Sequence, residues 1–593
     1  MSLNQQEDRK AFGQRATGFF VALLVAVGAL AGRLFFLQVV NQKRYALLSD
    51  RNRIHTVYIL PPRGRILDRD GKILAGIRTE YQAAIDLSQF RSKPETWIQV
   101  CTLLNLDPEV PLEEYRSKQA KVMGPSRVVP LKNGLSWEEI LAIESPVQQI
   151  PGLIVLPLFY RTYPLGEKAS HLVGYVMTPR SKDIEENANL KLPGALLGAA
   201  GSEKGFDTQL QGTPGFKRYE VNAGRRAVRL LEEGTPIPGR DIRLTLHAGL
   251  QERIDQIMKE VRCGALMVMD VESGDILASV SKPSFDPNIF AGKMTPEQWK
   301  GLMDNKDFPL LHRAVAGLYA PGSTFKMVVA LAALESEPVT EKTTYDCQGY
   351  WSFGEQRIHC WRWRTGGHGR MNMVQAIAQS CDVYFYNLAA KLGMTEILKM
   401  AKIYGFGEPV LGFPGEQKGS LPTAPPFWRK QDLGRALNLS IGQGHLTVTP
   451  LQLLRMTARL ATGHLIRPHL LMGESGEEGS LPTSPWKLSI IRRGMAEVVW
   501  GSLGTAQLAQ DPFFRIAGKT GTAQVVKITA EERRKGQIAQ RPYHLRDHAL
   551  FLGYGPIEKP RFAVVVVVEH GGSGRVAVPL GRDALLAAQE LIP

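Results

Sequence analysis

An uncharged apolar segment near the N-terminus most constrains how this chain can fold. Residues 16–32 carry no charge and are mostly apolar, and Leu-Phe-Phe-Leu at 34–37 extends the segment beyond Arg33. A helix needs about 20 apolar residues to cross a bilayer. We therefore predict a transmembrane signal-anchor over residues 16–38. No second segment of this kind follows in the sequence, so we expect a single pass.

Basic residues before the apolar segment predict its orientation. Arg9, Lys10 and Arg15 precede it, and an excess of positive charge favours the cytoplasmic side. Residues 1–15 are therefore expected to form a cytoplasmic tail. The alternative is a cleaved signal peptide, because Ala-Leu-Ala at 29–31 fits a cleavage site. The segment is long for a signal peptide and continues past that site, which favours an uncleaved anchor.

A Ser-x-x-Lys sequence marks a candidate nucleophile. Pro-Gly at 321–322 interrupts the chain, and an apolar helical stretch follows Ser323 and Lys326. This spacing places Lys326 one turn after Ser323 on the same helix face. A neighbouring amine can take the proton of a serine hydroxyl, and free N–H groups at a helix start can stabilise an oxyanion. The structural alternative is a helix cap followed by a surface lysine.

Two further motifs favour the catalytic interpretation. Ser380-Cys-Asp382 precedes an apolar stretch, and Lys519-Thr-Gly-Thr522 precedes Ala-Gln-Val-Val at 523–526, for which we predict a strand. The order and rough spacing of the three motifs are those of penicillin-recognising serine enzymes. Each motif alone could be structural, but the three together make a strong signal.

On these motifs the chain resembles the class B penicillin-binding proteins, which are peptidoglycan D,D-transpeptidases, and in particular their elongation type. Further similar segments are Arg-Gly-Arg-Ile-Leu-Asp-Arg-Asp-Gly at 63–71 and Ser-Ile-Gly-Gln-Gly at 440–444. Division-type enzymes typically carry asparagine where this chain has Asp382. That residue is the main reason for preferring elongation. The resemblance covers nearly the whole chain.

The resemblance implies an α+β protein that begins with the transmembrane helix. An elongated, non-catalytic α+β pedestal of the dimerisation type is expected at residues 39–238, and a penicillin-binding transpeptidase domain at residues 239–593. The latter should contain an antiparallel sheet flanked by helices. Its predicted strands lie at residues 264–270, 276–280, 549–554 and 562–568, and a short closing helix lies at 583–591.

The resemblance also implies how the acyl-enzyme would form. Ser323 would attack the carbonyl between the two terminal D-alanines of a stem peptide, and a β-lactam would trap Ser323 by mimicking that donor. Lys326 would be the base, and positive charge on Lys519 would lower the pKa of Lys326. Ser380 would relay a proton to the leaving amine. Asp382 could orient Lys326 or Ser380, or contact the substrate.

The third motif would bind the donor and stabilise the oxyanion. Lys519 and Thr520 suit the terminal carboxylate through a charge and a hydroxyl donor. Gly521 permits close approach of the backbone. The resemblance places the N–H of Thr522 in the oxyanion hole together with the N–H of Ser323.

Three of the five cysteines occur near a histidine. Cys347, Cys360, His368 and Cys381 could form a Cys₃His tetrahedron suited to Zn²⁺, and some elongation-type relatives have a metal site in this stretch. Such a zinc would be structural, and no cofactor is expected for the chemistry. A Cys347–Cys360 disulfide is plausible outside the cytoplasm. Reduced cysteines beside a lone histidine are the third possibility.

The net charge and the family resemblance predict the partners and the location of the protein. A formal net charge of +15 suits an anionic envelope surface, and no nucleic-acid motif is present. The resemblance implies an enzyme in the bacterial cytoplasmic (inner) membrane with a periplasmic catalytic domain. Its partners would be peptidoglycan stem peptides, β-lactams and a SEDS-family glycosyltransferase.

Other functions remain open on sequence grounds. A division-type septal transpeptidase would carry the same motifs. So would a D,D-carboxypeptidase or a β-lactamase-like serine hydrolase, which passes the acyl group to water. The sequence has no Glu-x-x-Leu-Asn segment of the kind that class A β-lactamases use for deacylation. A non-enzymatic β-lactam sensor or scaffold is the remaining alternative.

Overall fold

The structure of this chain is a computed structural model, and its described residues form mixed helix and sheet. They are residues 3–40, 54–87, 89–123, 128–145, 150–187, 190, 192, 194–221, 227–292, 294–336, 339–353, 356–425, 432–526, 532 and 541–592. The predicted α+β class is confirmed. The chain divides into two compact units: unit 1 is Met1–Pro61, Tyr81–Pro157 and Thr213–Ile237, and unit 2 is Pro62–Glu80, Leu158–Gly212 and Pro238–Pro593.

The α-helices are distributed along the whole described chain. They are α1 (Leu3–Phe35), α2 (Pro94–Leu104), α3 (Leu112–Met123), α4 (Trp137–Glu144), α5 (Ser170–Val173), α6 (Ser181–Glu186), α7 (Gly201–Gly205), α8 (Asp207–Gln211), α9 (Ala248–Ile257), α10 (Asn288–Ala291), α11 (Pro296–Met303), α12 (Arg313–Ala316), α13 (Lys326–Glu335), α14 (Met373–Ala378), α15 (Asp382–Ile403), α16 (Leu433–Ser440), α17 (Pro450–Thr462), α18 (Pro485–Trp500) and α19 (Ala577–Leu591).

The strands are mostly short. They are β1 (Ile54–Ile59), β2 (Ile66–Leu67), β3 (Ile73–Asp86), β4 (Val128–Asn133), β5 (Leu153–Thr162), β6 (Val176–Met177), β7 (Leu197–Gly198), β8 (Gly215–Val221), β9 (Ala227–Gly234), β10 (Ile242–Arg243), β11 (Gly264–Asp270), β12 (Ile276–Lys282), β13 (Tyr345–Cys347), β14 (Tyr350–Phe353), β15 (Gln356–His359), β16 (Gly369–Met371), β17 (His464–Ile466), β18 (Glu477–Ser480), β19 (Ala517–Ala523), β20 (His548–Gly555) and β21 (Phe562–Val568).

Unit 1 contains the N-terminal helix and two small sheets. An 18-residue window within Arg15–Val40 has a mean hydropathy of 2.3 and is unburied, and this helical part of the chain is long and apolar enough to cross a membrane. One sheet places β8 between β1 and β9, all antiparallel. In the other, residues 82–86 of β3 pair with β4. Trp97, Val100 and Leu104 on one face of α2 pack into the core behind this sheet.

A buried ion cluster joins distant segments of unit 2. Glu203 is fully buried and lies 2.8 Å from Arg63 and 2.5 Å from Arg161. Arg63 also pairs with Asp207 at 2.7 Å. Because a buried carboxylate is costly unless it is paired and hydrogen-bonded, these contacts fix the segment that begins at residue 63 against α7 and α8.

The main sheet of unit 2 has the strand order β12-β11-β21-β20-β19 and is antiparallel throughout. Helices α9 and α19 pack against it, as does α17. All seven residues of β21 are buried, including the run Val564–Val568. A strand covered on both faces can be continuously apolar, which explains this run. The four strands predicted from the sequence are confirmed, and the closing helix begins earlier than expected, at residue 577.

The third motif is itself part of the sheet. The sequence predicted a strand at 523–526, but β19 spans Ala517–Ala523 and its residues pair with β20 from Ala517↔Tyr554 to Ala523↔His548. The prediction missed this because Gly518, Lys519 and Gly521 belong to residue types that are depleted in strands. Pairing with the apolar β20 overrides that local preference. As an edge strand, β19 has one row of backbone groups that no further strand of this sheet pairs with.

The buried His171 predicts how the stability of unit 2 depends on pH. Its Nε2 lies 2.7 Å from the Pro309 carbonyl oxygen, and burial lowers the pKa of His171 from 6.5 to about 4. Unfolding therefore takes up a proton between these two values, so the free energy of unfolding falls as the pH drops from 6.5 to 4. The shift corresponds to about 3 kcal/mol.

We expect His171→Gln to flatten this part of the stability profile, since glutamine can still donate to the carbonyl but does not titrate. Urea unfolding of the detergent-solubilised chain at pH 7 and pH 4 would measure it. Replacement of the exposed His445 by glutamine is the matched control. Equal slopes for wild type and His171→Gln would contradict the assignment.

Candidate active site

Ser323 lies in a short 3₁₀ turn, Gly322–Phe325, that leads directly into α13. Gly322 has φ of 55°, and a Cβ there would lie 2.5 Å from the carbonyl oxygen of Thr522. Only glycine tolerates both conditions. The Pro-Gly pair therefore does more than end the preceding segment, because it lets the turn that bears Ser323 reach the edge strand β19.

The second motif occupies the junction between α14 and α15. Ser380 has φ of 55°, which is rare for a residue with a side chain. Its N–H donates to the Ile377 carbonyl at 3.2 Å, and the Cys381 N–H donates to the Ala376 carbonyl at 3.0 Å. Backbone strain of this kind costs about 1–3 kcal/mol and is concentrated at functional sites. No sequence pattern predicted this conformation.

Lys326 connects the first two motifs. Its Nζ, which is fully buried, donates to the Ser380 carbonyl at 2.9 Å, to Ser380 Oγ at 3.2 Å and to Asp382 Oδ1 at 2.7 Å. Among the residues that the structure describes, no hydrogen bond joins Lys326 to Ser323. The carboxylate is the stronger acceptor for an ammonium group, so the amine turns toward the second motif.

Lys519 places the third motif in the same region. It is fully buried in β19, and its Nζ donates to the Thr520 carbonyl at 3.0 Å. Burial, followed by the positive charge of Lys326, holds the pKa of Lys519 well below its usual value, while Asp382 opposes this. The sequence analysis assigned to Lys519 a positive charge that would lower the pKa of Lys326. Burial instead favours its neutral form when no anion is bound.

The remaining residues of the third motif line the side of β19 near the nucleophile turn. A Cβ on Gly521 would lie 2.8 Å from Thr324 Cγ2, so this position also requires glycine. Thr522 contacts Gly322, the residue directly before Ser323. Thr520 shares a hydrogen bond of 2.8 Å with Thr505 through their hydroxyl oxygens. Thr505 precedes no recognisable motif, and sequence reasoning did not identify it.

Asp382 has hydrogen-bond contacts in addition to its ion pair with Lys326. Its Oδ2 accepts from the Trp361 N–H at 3.0 Å, and its own N–H points at Cys360 Sγ at 3.4 Å. Burial raises the pKa of Asp382, and the Lys326 ammonium acts in the opposite direction. The Trp361 indole also lies 3.2 Å from the Ser380 carbonyl. Trp361 was missed in the sequence because only the fold brings residue 361 beside residue 382.

The cysteine–histidine cluster lies directly beside this contact. The structure carries its cysteines as free thiols, and the ligand atoms of Cys347, Cys360, His368 and Cys381 all lie within 4.8 Å of one another. His368 Nδ1 is 3.5 Å from both Cys347 Sγ and Cys360 Sγ. In a tetrahedral zinc site with bonds of about 2.0–2.3 Å, the ligand atoms lie about 3.5–3.8 Å apart. The four residues therefore fit a zinc ion.

Sulfur neighbours shift the pKa values within this cluster. Hydrogen bonds from Cys360 and Cys381 lower the pKa of Cys347, and those with Cys347 and Cys360 raise the pKa of Cys381. The cluster thus favours the thiolate form of Cys347 and the neutral thiol form of Cys381. Three thiols crowded around one imidazole are a donor set typical of a metal site.

Comparison with known proteins places this geometry in a family. Residues 264–586 match the family described as "Penicillin binding protein transpeptidase domain", and residues 58–244 match "Penicillin-binding Protein dimerisation domain". The "Peptidoglycan D,D-transpeptidase MrdA" of Haemophilus influenzae is 31% identical over 612 aligned positions, which cover 98% of this chain and 92% of that protein. The chain belongs to the penicillin-binding proteins. The predicted relationship to their elongation-type class B members is confirmed.

Two solved structures are also similar to this chain over most of its length. The penicillin-binding protein PBP2 from Helicobacter pylori in complex with MreC is 29% identical to this chain, with a TM-score of 0.78 over 91% of this chain and 100% of that one. A structure titled for the coordination of polymerization and crosslinking by a peptidoglycan synthase complex is 30% identical, with a TM-score of 0.70 over 98% and 99% of the two chains. The fold of the relatives therefore extends over nearly the whole chain.

The ion pair of Lys326 and Asp382 yields a test of the site's construction. Asp382→Ala would leave a buried ammonium without its counter-charge, which costs about 3–5 kcal/mol. We expect a loss of stability in that range. Asp382→Asn should lose less, because one amide oxygen can still accept a hydrogen bond from Lys326.

Chemical unfolding of both variants at neutral pH measures these losses. Replacement of Asp304 by alanine is a suitable control, since Asp304 lies at the exposed end of α11. The ion pair would not be a structural element of the site if Asp382→Ala were as stable as wild type.

Proposed function

We propose that this penicillin-binding protein cross-links peptidoglycan stem peptides through a Ser323 acyl-enzyme during cell elongation. One observation supports the assignment of the site most strongly. Buried Lys326, one turn after Ser323, donates hydrogen bonds to Ser380 and Asp382. Lys519 lies close enough to Lys326 that the positive charge of Lys326 lowers the pKa of Lys519. Three motifs separated by up to about 200 residues thus serve one centre. The names of the curated relatives support D,D-transpeptidation as the reaction.

Acylation would begin with attack by Ser323 Oγ on the carbonyl carbon between the donor's last two D-alanines. The new Oγ–C bond forms, the peptide C–N bond breaks, and terminal D-alanine leaves as an amine that takes a proton. In its neutral form, Lys326 Nζ would accept the proton of Ser323, and Ser380 Oγ, 3.2 Å from Nζ, would pass a proton to the leaving nitrogen. Catalytic hydrogen bonds often tighten only when substrate is bound, so the rotation of Lys326 toward Ser323 is assigned to that step.

Donor binding would use the third motif. The terminal carboxylate would meet Lys519 and the hydroxyl of Thr520, and its negative charge would favour the ammonium form of Lys519 that burial disfavours. The N–H groups of Ser323 and Thr522 would hold the oxyanion. Each such donor contributes roughly two to three powers of ten in rate. An amine of a neighbouring strand would then resolve the acyl-enzyme, which distinguishes this reaction from hydrolysis.

The remaining features define the setting of the enzyme. We assign residues 1–15 to a cytoplasmic tail, 16–38 to a single-pass anchor in the inner membrane, 39–238 to a non-catalytic pedestal and 239–593 to a periplasmic transpeptidase domain. The apolar helix supports the anchor. An MreC-like protein is a proposed partner because the Helicobacter pylori relative is in complex with MreC. A SEDS-family glycosyltransferase is the second proposed partner, and a structural relative titled for coordination of polymerization and crosslinking in a synthase complex supports a polymerising partner in general.

The covalent step has a direct test. Ser323→Ala should abolish covalent labelling by a fluorescent penicillin, because the acceptor oxygen is gone, while stability should change little since a small half-buried hydroxyl is lost. Gel fluorescence after incubation and boiling measures labelling. Ser336→Ala, at the distal end of α13, is the matched control and should label like wild type. Persistent labelling of folded Ser323→Ala would refute the nucleophile.

The cysteine–histidine cluster is proposed to hold structural zinc. Cys347, Cys360, His368 and Cys381 would occupy all four positions of the ion, so it would take no part in acyl transfer. Bound zinc would supply rigidity. Cys360 contacts the N–H of Asp382, and Cys381 lies inside the second motif, so the ligands themselves hold the residues that face Lys326.

Metal analysis of the purified chain tests this proposal. We expect one zinc per chain in wild type, and loss of the zinc with a lower melting temperature in Cys360→Ser. Cys263→Ser removes a buried cysteine outside the cluster and should retain the metal. Absence of zinc together with a Cys347–Cys360 disulfide in mass spectrometry would overturn the zinc proposal.

A further inference from the structure

A loop after α16 contacts both sides of the candidate oxyanion hole. Helix α16 ends at Ser440, and the N–H groups of Gly442 and Gln443 bond back to the carbonyls of Leu439 and Asn438 at 2.9 and 3.0 Å. Gly442 has φ of 68°, as is usual for a glycine that ends a helix. The position of Gln443 is thereby fixed relative to α16. None of the site residues predicted from the sequence lies in this loop.

On one side, the loop holds the turn that bears the nucleophile. The Gly322 N–H donates to the Gly442 carbonyl at 2.9 Å. A Cβ on Gly442 would lie 2.1 Å from the Gly322 carbonyl oxygen, so two glycine backbones are in direct contact. Gly322 directly precedes Ser323, whose N–H is one of the two oxyanion donors in the proposed reaction. The loop therefore sets the position of the peptide next to that donor.

On the other side, the loop holds the edge strand. Gln443 Nε2 donates to the Thr522 carbonyl oxygen at 3.1 Å. A Cβ on Gly322 would be 2.5 Å from this oxygen and 3.2 Å from the Thr522 nitrogen, so both backbone atoms of Thr522 face the nucleophile turn. An edge strand has no further strand to fix these groups. The Gln443 amide supplies that missing hydrogen bond.

We propose that Gln443 is a positioning residue that sets the width of the oxyanion hole. It ties Thr522 to the same loop that binds Gly322, so the N–H groups of Ser323 and Thr522 stay at a fixed separation without substrate. Oxyanion donors act through such preorganisation, and a displacement of about 1 Å can cost a hundredfold in rate. The inference rests on the proposed function, because it assigns a role within the same acyl transfer.

The role predicts a particular kinetic pattern for Gln443→Ala. Acylation by a penicillin and hydrolysis of the resulting acyl-enzyme both pass through a tetrahedral oxyanion. Both first-order rate constants should therefore fall about ten- to a hundredfold. The dissociation constant of the preceding non-covalent complex should stay within about twofold. A loss of folded protein would lower the labelled amount and leave these rate constants unchanged.

Stopped-flow and gel measurements with a fluorescent penicillin separate the three constants. Gln443→Glu keeps the size of the side chain but replaces the donor by a carboxylate that repels the Thr522 carbonyl, so it should be at least as slow as Gln443→Ala. Gln510→Ala is the matched control, because Gln510 also donates one amide hydrogen bond to a main-chain carbonyl, that of Val499 at 2.8 Å. It should retain wild-type rate constants.

Two outcomes would overturn the inference. The first is acylation of Gln443→Ala at the wild-type rate. The second is a defect confined to the non-covalent dissociation constant, which would make Gln443 a ligand-binding group and not a positioning residue. Failure of the proposed Ser323 acyl-enzyme gives a different result, since wild-type protein would then not be labelled at all.

Discussion

The buried ion pair of Lys326 and Asp382 is the interaction on which the site depends. An ammonium inside an apolar helix bundle is tolerated only with a counter-charge and further acceptors. Asp382 and the two oxygens of Ser380 provide them. The pair thereby determines how α13 and α15 approach each other, and it holds Ser380 in its left-handed conformation beside the nucleophile turn.

Close backbone contact is the second constraint. Gly322 lies against Thr522 on one side and Gly442 on another, so three chain segments meet where a single methyl group would not fit. The resulting arrangement brings the turn of Ser323 into direct backbone contact with the edge strand β19. An unpaired strand edge can pair with other chains, but here the edge of β19 lines the candidate active site.

Much of the chemistry was accessible from the sequence because it is encoded locally. Ser323 and Lys326 are one turn apart in any helix, and the apolar runs of β11 and β21 predict buried strands whatever surrounds them. The contacts of Asp382 could not be predicted from the sequence. They involve Trp361 and Cys360, which lie about 20 residues earlier and reach Asp382 only through the turns that also gather the cysteine cluster.

The sequence by itself determined the apolar N-terminal helix, the α+β class, the identity of the motif residues and the composition of the cysteine–histidine set, because each depends on residue type and short-range spacing. Only the tertiary structure decided that Lys326 faces Asp382 and not Ser323, that burial disfavours charge on Lys519, and that Gln443 and Thr505 touch the third motif. These facts depend on which side chains are buried against one another, and that is decided when separate segments of the chain, from 15 to 79 residues apart in these hydrogen bonds, pack together.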